Sequence, residues 1–152
     1  MITLHQTTVD DPDFKMLVAA LDAALKQTDG DRHAFFAQFN VLHDDTIAVV
    51  AYYNGKAVGS GALRKWSEGV AEIKRMYVDP GFRGRGVGST VLNGLENIAL
   101  DKGYMRCILE TSCRQTEASH LYEKNGYQRI ANYGPYEKVE DSISFEKVFV
   151  SG

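Results

Sequence analysis

The run Arg83-Gly84-Arg85-Gly86-Val87-Gly88 constrains this chain more tightly than any other segment. Before it, residues 69–79 are rich in apolar, β-branched and aromatic side chains and predict a strand, which Pro80-Gly81-Phe82 breaks. After it, Val87, Val91, Leu92, Leu95, Ile98 and Ala99 mark one face of a helix that stops at Lys102-Gly103. Strand, glycine-rich turn and helix thus follow one another directly. Glycine lets the backbone approach a ligand closely and adopt conformations that other residues resist. The first amides of a helix have no partner within it and attract negative charge. A pyrophosphate fits such a place; the plainer alternative is an ordinary glycine-rich connection.

The remaining pattern sets the fold class. Residues 2–8 predict a first strand, and Asp10-Asp11-Pro12 resembles a helix cap followed by proline in the first turn. Phe14, Leu17, Val18, Leu21 and Leu25 follow at helical spacing until Asp29-Gly30. Residues 31–39 predict a short second helix, where Phe35, Phe36 and Phe39 are concentrated. Residues 46–53 and 56–63 predict strands joined by Asn54-Gly55, the favoured two-residue hairpin turn. Beyond the long helix come a strand over 105–111, a helix over 116–125 capped by Gly126, and strands over 128–132 and 142–149. The order β-α-α-β-β-β-α-β-α-β-β holds one clear β-α-β crossover. The expectation is one α/β (α+β) domain over residues 1–152, built on a mixed sheet.

Charge and composition exclude several classes. The 17 basic and 20 acidic residues give a net charge of −3, which offers no surface for a phosphate backbone, so nucleic acid is not an expected partner. No run approaches the ~20 apolar residues of a membrane span. Met1-Ile2-Thr3-Leu4-His5-Gln6 lacks the basic start and apolar stretch of a signal peptide, so no membrane association and a cytoplasmic location are expected. Cys107 and Cys113 stand apart from any cluster of histidines or carboxylates, and His5, His33, His43 and His120 show no ligand spacing. Neither a disulfide framework nor a metal is expected. The sequence sets no oligomeric state; a homodimer is the commonest.

Three phosphate motifs compete for the glycine-rich run. A P-loop ends in Gly-Lys-Ser/Thr, and Gly88-Ser89-Thr90 has no lysine. A dinucleotide fingerprint starting at Gly84 requires glycine or alanine where Ser89 stands. Glu110 sits about twenty residues on, as a ribose-binding acid would, but the repeated β-α-β halves are missing. The third motif is Arg/Gln-x-x-Gly-x-Gly/Ala, met by Arg83, Gly86 and Gly88. Val78-Asp79-Pro80 before it and Leu121-Tyr122-Glu123-Lys124-Asn125-Gly126-Tyr127 after it complete a resemblance to the GNAT acyltransferase superfamily over residues 46–149.

The resemblance implies a mostly antiparallel central sheet flanked by helices, with a splayed strand pair forming an acyl-CoA cleft, and acetyl-CoA as co-substrate. By its pattern the backbone of Met76, Tyr77 and Val78 bonds the pantetheine arm. The amides of Arg83, Gly84, Arg85, Gly86, Val87, Gly88 and Ser89 hold the pyrophosphate. Many relatives carry asparagine where this chain has Gln115, which keeps the amide with a different reach. Tyr122 matches the tyrosine near the cofactor sulfur, and Phe36 and Phe39 lie where the family often roofs its acceptor pocket. Tyr133, in Tyr133-Gly134-Pro135-Tyr136, is a second candidate for the acceptor rim.

Acetyl transfer to an amine needs a neutral amine, a proton acceptor and a leaving thiolate. Alkyl amines titrate near ~10, so a base helps at neutral pH. Period-two alternation puts Glu72 on one face with Lys74, Met76 and Val78. Ala71-Glu72-Ile73-Lys74 resembles the surroundings of the base glutamate in GNAT histone acetyltransferases, and a solvated strand-face glutamate is the alternative. Tyr122 is the candidate acid. With no histidine near either cysteine in sequence, direct transfer is expected over an acyl-cysteine route. The expected activity is acetylation of a small or amino-acid-like amine; the alternative is a non-catalytic acyl-CoA sensor that keeps the turn and lacks working proton-transfer groups.

Overall fold

The computed structural model describes residues 1–40, 42 and 45–149. Asn54 and Gly55 both take positive φ, +49° and +88°, as a tight turn with right-handed strand twist demands. That turn joins β2 (Ile47–Tyr53) to β3 (Lys56–Ser67). β1 (Ile2–Thr8) pairs outside β2, and β4 (Val70–Val78) pairs with β3 on the other side, all antiparallel. β3 runs past its expected end through Arg64 to Ser67. Pairing with β4 holds that polar segment, with Arg64 opposite Glu72. α3 (Val87–Asp101) then carries the chain over to β5 (Arg106–Ser112), which is parallel to β4. α4 (Thr116–Lys124), β6 (Gln128–Ile130) and β7 (Ser142–Val148) follow. The sheet order is β1-β2-β3-β4-β5-β7-β6, so the mixed sheet expected from the element order is present, and it is mostly antiparallel as the resemblance implies.

Helices cover both faces. α1 (Pro12–Asp29) starts at Asp11, whose carboxylate accepts hydrogen bonds from the amides of Asp13 and Phe14. Its Phe14 and Leu17 pack on Ala48, Val50 and Ala62. On the opposite face Val87, Val91, Leu92 and Leu95 of α3 pack on Val49, Val58, Leu63 and Ile73. α3 lies against bare backbone there: a Cβ at Gly59 would stand 2.6 Å from Val87, and one at Gly61 2.8 Å from Leu95. The expected helix over 31–39 is instead a 3₁₀ turn (Gly30–Arg32) leading into α2 (His33–Ala37). Long-range contacts fix it, since Arg32 bonds Asp141 through Nε and Nη2 and lies over the Phe35 ring.

Two irregularities in β4 shape the site. Ser60 pairs with Tyr77 and Ala62 with Lys74, so Gly61 alone faces both Arg75 and Met76, a β-bulge. Arg75 adopts φ +58° there, and the Ser60 hydroxyl donates to its carbonyl. The bulge reverses the alternation. Ala71, Ile73, Met76 and Val78 face α3, whereas Glu72, Lys74, Arg75 and Tyr77 face the side of α1. The single face expected for Glu72, Lys74, Met76 and Val78 is therefore split. β4 also pairs with β5 only from Val70 to Glu72. Beyond Glu72 and Ile108 the two strands part and leave a cleft.

Candidate active site

The glycine-rich turn lies between the end of β4 and α3. Gly84 and Gly86 take φ +77° and +83°, and a Cβ on either would meet nothing within 4 Å. Backbone conformation, not crowding, calls for glycine there, and the space before both residues is open. Gly86 caps α3 without a side-chain hydrogen bond to the first amides of that helix. Those amides are left to whatever enters the open space. Arg85 lies over the rings of Tyr53 and Phe82, and Arg83 pairs with Glu117 at the start of α4.

The cleft between β4 and β5 is lined by residues from several elements, among them Phe36, Lys74, Met76, Glu110, Gln115 and Tyr122. Burial pushes the Tyr122 hydroxyl well above its ordinary range, with the charge of Glu110 adding to the effect. It stays protonated and is a hydrogen-bond donor. Glu110 titrates at about 7: burial raises it from 4.5, and the hydrogen bond from Ser142 (2.6 Å) and the charge of Lys74 hold it down in part. Gln115 Nε2 is buried and has no hydrogen-bond partner. An orphaned amide donor in a cleft is a group waiting for an acceptor.

A second chamber of about 210 Å³ adjoins the cleft and shares Lys74 and Tyr136 with it. Arg64, Trp66, Glu72 and Phe39 line its walls. Glu72 is only 2% exposed; its Oε2 accepts from the Tyr133 hydroxyl (2.6 Å), while Oε1 has no hydrogen-bond partner. Arg64 Nε and Lys74 Nζ stand 3.7 and 3.9 Å from that Oε1. Lys74 donates to the Phe39 carbonyl (2.6 Å), and burial lowers its pKa.

The sequence model of the Acetyltransferase (GNAT) family matches residues 14–127. This chain belongs to that family. Its sequence is 36% identical over 100 residues to an IAA acetyltransferase of Azospirillum brasilense, with 65% of each chain matched. It spans less than two thirds of the length of that relative and of the Escherichia coli N-acetyltransferase YjgM, to which it is 32% identical over 84 residues. Its fold superposes with TM-score 0.83 on a Klebsiella pneumoniae protein assigned as an acyl-CoA N-acyltransferase, at 34% identity over 97% of both chains.

In this GNAT domain the fold brings most of the expected site residues together. Phe36, Met76, Gln115 and Tyr122 line the cleft, and Phe39 and Glu72 line the adjoining chamber. Tyr133 lines neither; its hydroxyl donates to Glu72, and the residue of that segment that lines both spaces is the buried Tyr136. Among the described residues no group of three or more His, Cys, Asp or Glu is placed to hold a metal ion; His43 lies outside them. No described helix is long and apolar enough to cross a membrane. Cys107 is fully buried, and burial, with the charge of Glu96, pushes its thiol up to about 12. A thiol so placed is a poor acyl carrier.

Sequence reasoning weighed Glu110 only as a ribose-binding acid and passed over Arg64, Trp66 and Lys74 as site residues. Glu110 had a usable signal: an acid in the apolar run Cys107-Ile108-Leu109, on a central strand where charge is rarely buried without purpose. The other three read as ordinary charges and a strand aromatic.

Proposed function

We propose that this chain is an acetyl-CoA-dependent N-acetyltransferase that acts on a small amine by direct transfer. The observation that carries the proposal is the unpaired stretch of β4 and β5, with a protonated Tyr122 and a near-neutral Glu110 lining one cleft. The open space at Gly84 and Gly86 and the unpartnered Gln115 amide suit the pyrophosphate and the pantetheine arm. A Thermoplasma acidophilum N-acetyltransferase with coenzyme A shares the fold at TM-score 0.72 and 19% identity.

Acetyl-CoA supplies the acetyl group and a thiolate that can leave. The acceptor amine enters between the two carboxylates. Glu72 Oε1, buried and unpartnered, accepts from the ammonium and positions it. Glu110 takes the proton, because a carboxylate titrating near 7 is half-ionised at neutral pH and keeps useful basicity. The amine nitrogen then bonds the acetyl carbon, the C–S bond breaks, the Tyr122 hydroxyl protonates the thiolate, and the second proton shed by the nitrogen restores the Tyr122 hydroxyl. Glu72 thus binds the amine and Glu110 acts as base. The sequence alone had offered Glu72 for the second task.

The test is free-thiol release from acetyl-CoA across a panel of small amines. Wild type is expected to turn over at least one of them. Tyr122→Phe keeps the ring and removes the donor, so turnover is expected to fall about 10- to 10³-fold with coenzyme A affinity unchanged. The loss shrinks for an acyl donor whose thiol is more acidic. Tight acetyl-CoA binding with no thiol release from any amine would leave the chain a sensor.

A further inference from the structure

The chamber beside the cleft holds two groups that the fold leaves incomplete. Arg64 has a side chain only 26% exposed, yet its one hydrogen bond among the described residues is a long contact (3.5 Å) from Nε to the Lys65 carbonyl. Neither Nη nitrogen has a partner there, and the guanidinium lies over the Trp66 ring. Facing it is Glu72 Oε1, buried and also without a hydrogen bond. The 3.7 Å between Arg64 Nε and that oxygen is an ion-pair distance but exceeds a hydrogen bond. A half-buried cation faces a buried anion that lacks a hydrogen-bond partner, and an unpartnered buried carboxylate oxygen is unusual in a finished core.

The chamber also has a charge balance. Arg64 and Lys74 line it against the single carboxylate of Glu72, so it carries one surplus positive charge when all three are ionised. Its other walls are aromatic: Phe39, Trp66 and Tyr136. A ligand that completes it brings an anion for the planar fork of Arg64, a cationic N–H donor for Glu72, and a modest apolar remainder. At about 210 Å³ the chamber takes a small molecule and leaves no room for a folded partner.

We infer that the acceptor is an α-amino acid, or an amine with a carboxylate at the same spacing, whose carboxylate is gripped by Arg64 while its ammonium rests on Glu72 Oε1. This reading rests on the proposed N-acetyl transfer and supplies its substrate class. The ammonium and carboxylate of an α-amino acid are separated by a single carbon, which suits a cation and an anion placed side by side. Arginine is the side chain for this task, since its parallel N–H groups match both carboxylate oxygens. The aromatic wall selects among amino-acid side chains.

Two measurements test it. Calorimetry with coenzyme A-saturated protein compares each common L-amino acid with its primary amide and with the amine lacking the carboxylate. The acid is expected to bind about 10- to 100-fold more tightly than either counterpart, the range of a charge-assisted hydrogen-bonded pair. Arg64→Met brings the acid down to the level of the amide, and Arg64→Lys restores only part of the difference. Unchanged coenzyme A affinity shows that both variants fold. In the thiol-release assay the same preference appears in KM more than in kcat.

The inference is overturned if amides or simple amines bind as well as acids, if no carboxylate-bearing amine binds, or if Arg64→Met weakens acid and amide equally. Amines without a carboxylate that react as fast as amino acids would sink the acceptor class and leave acetyl transfer standing. Amino acids that bind through Arg64 and release no thiol would do the reverse.

Discussion

Glu110 and Glu72 are neighbouring carboxylates with opposite surroundings. Glu72 has two cations and a tyrosine hydroxyl close by, whereas Glu110 meets one serine hydroxyl and a more distant Lys74. Turnover is expected to rise with pH through about 7, where Glu110 ionises, and then to level. Glu110→Gln flattens that rise and lowers turnover on the order of 10²-fold or more. Glu72→Gln raises the acceptor KM and leaves the rise in place. A thermal measurement checks the same group without substrate. Burial favours protonated Glu110, so its contribution to stability is full below pH 4.5 and is lost as pH climbs through about 7. Glutamine stays neutral throughout. Glu110→Gln should therefore melt several degrees above wild type at pH 8 and level with it at pH 4.5. A melting difference that does not vary with pH would remove Glu110 as the titrating group.

At the scale of elements, the β4 bulge matters most, and its fastening lies on another element. Arg75 leaves the strand with φ +58° and reaches α1, where its guanidinium meets Asp22 and the Val18 carbonyl. Its side chain is 3% exposed, whereas that of Asp22 is 46% exposed. This asymmetry sets the outcome of breaking the pair. Asp22→Ala strands a buried cation and is expected to cost about 3–5 kcal/mol by urea unfolding. Arg75→Met leaves Asp22 free to rehydrate and is expected to cost less. The reverse order would mean that packing of the arginine stem, not charge, holds the bulge. A second set of ties, Asp29 and Asp141 with Arg114 and Arg32, holds the segment carrying Phe36 and Phe39 to the end of β5. The elements themselves were legible in the sequence. Strand alternation, the Asn54-Gly55 turn, the Asp11 cap and the apolar stripe of α3 each state a local preference that the fold keeps. The short helix over 31–39 was read too long, because Gly30, with φ +55°, and the long-range bonds of Arg32 decide its start.

Over the whole molecule, ligand binding and stability should be coupled. On the proposed reading coenzyme A spans the turn at Gly86 and the cleft between β4 and β5, a site that only the folded chain offers. Saturation at about 100 times Kd is expected to raise Tm by roughly 5–10 °C in a domain of this size. Gly86→Glu puts a side chain and a negative charge into the open space and should abolish the shift. NAD and ATP, which have no pantetheine arm for the cleft, should give little. An unaltered coenzyme A affinity in Gly86→Glu would remove the turn from the site.

The sequence by itself determined the order of elements, the mixed sheet, the phosphate-suited turn and the position of Tyr122, because each is written in neighbours a few residues apart. Tertiary structure alone decided which side chains meet. A bulge at a non-glycine residue carries no local mark, so period-two reasoning put Met76 on the face of Glu72 and the fold put it on the other. Arg64, Lys74 and Glu110 come from three strands, and only the register of β3 on β4 and the parting of β4 from β5 gather them. Burial then raises the Glu110 carboxyl to about 7, a change made by the loss of water around it and invisible in any run of residues.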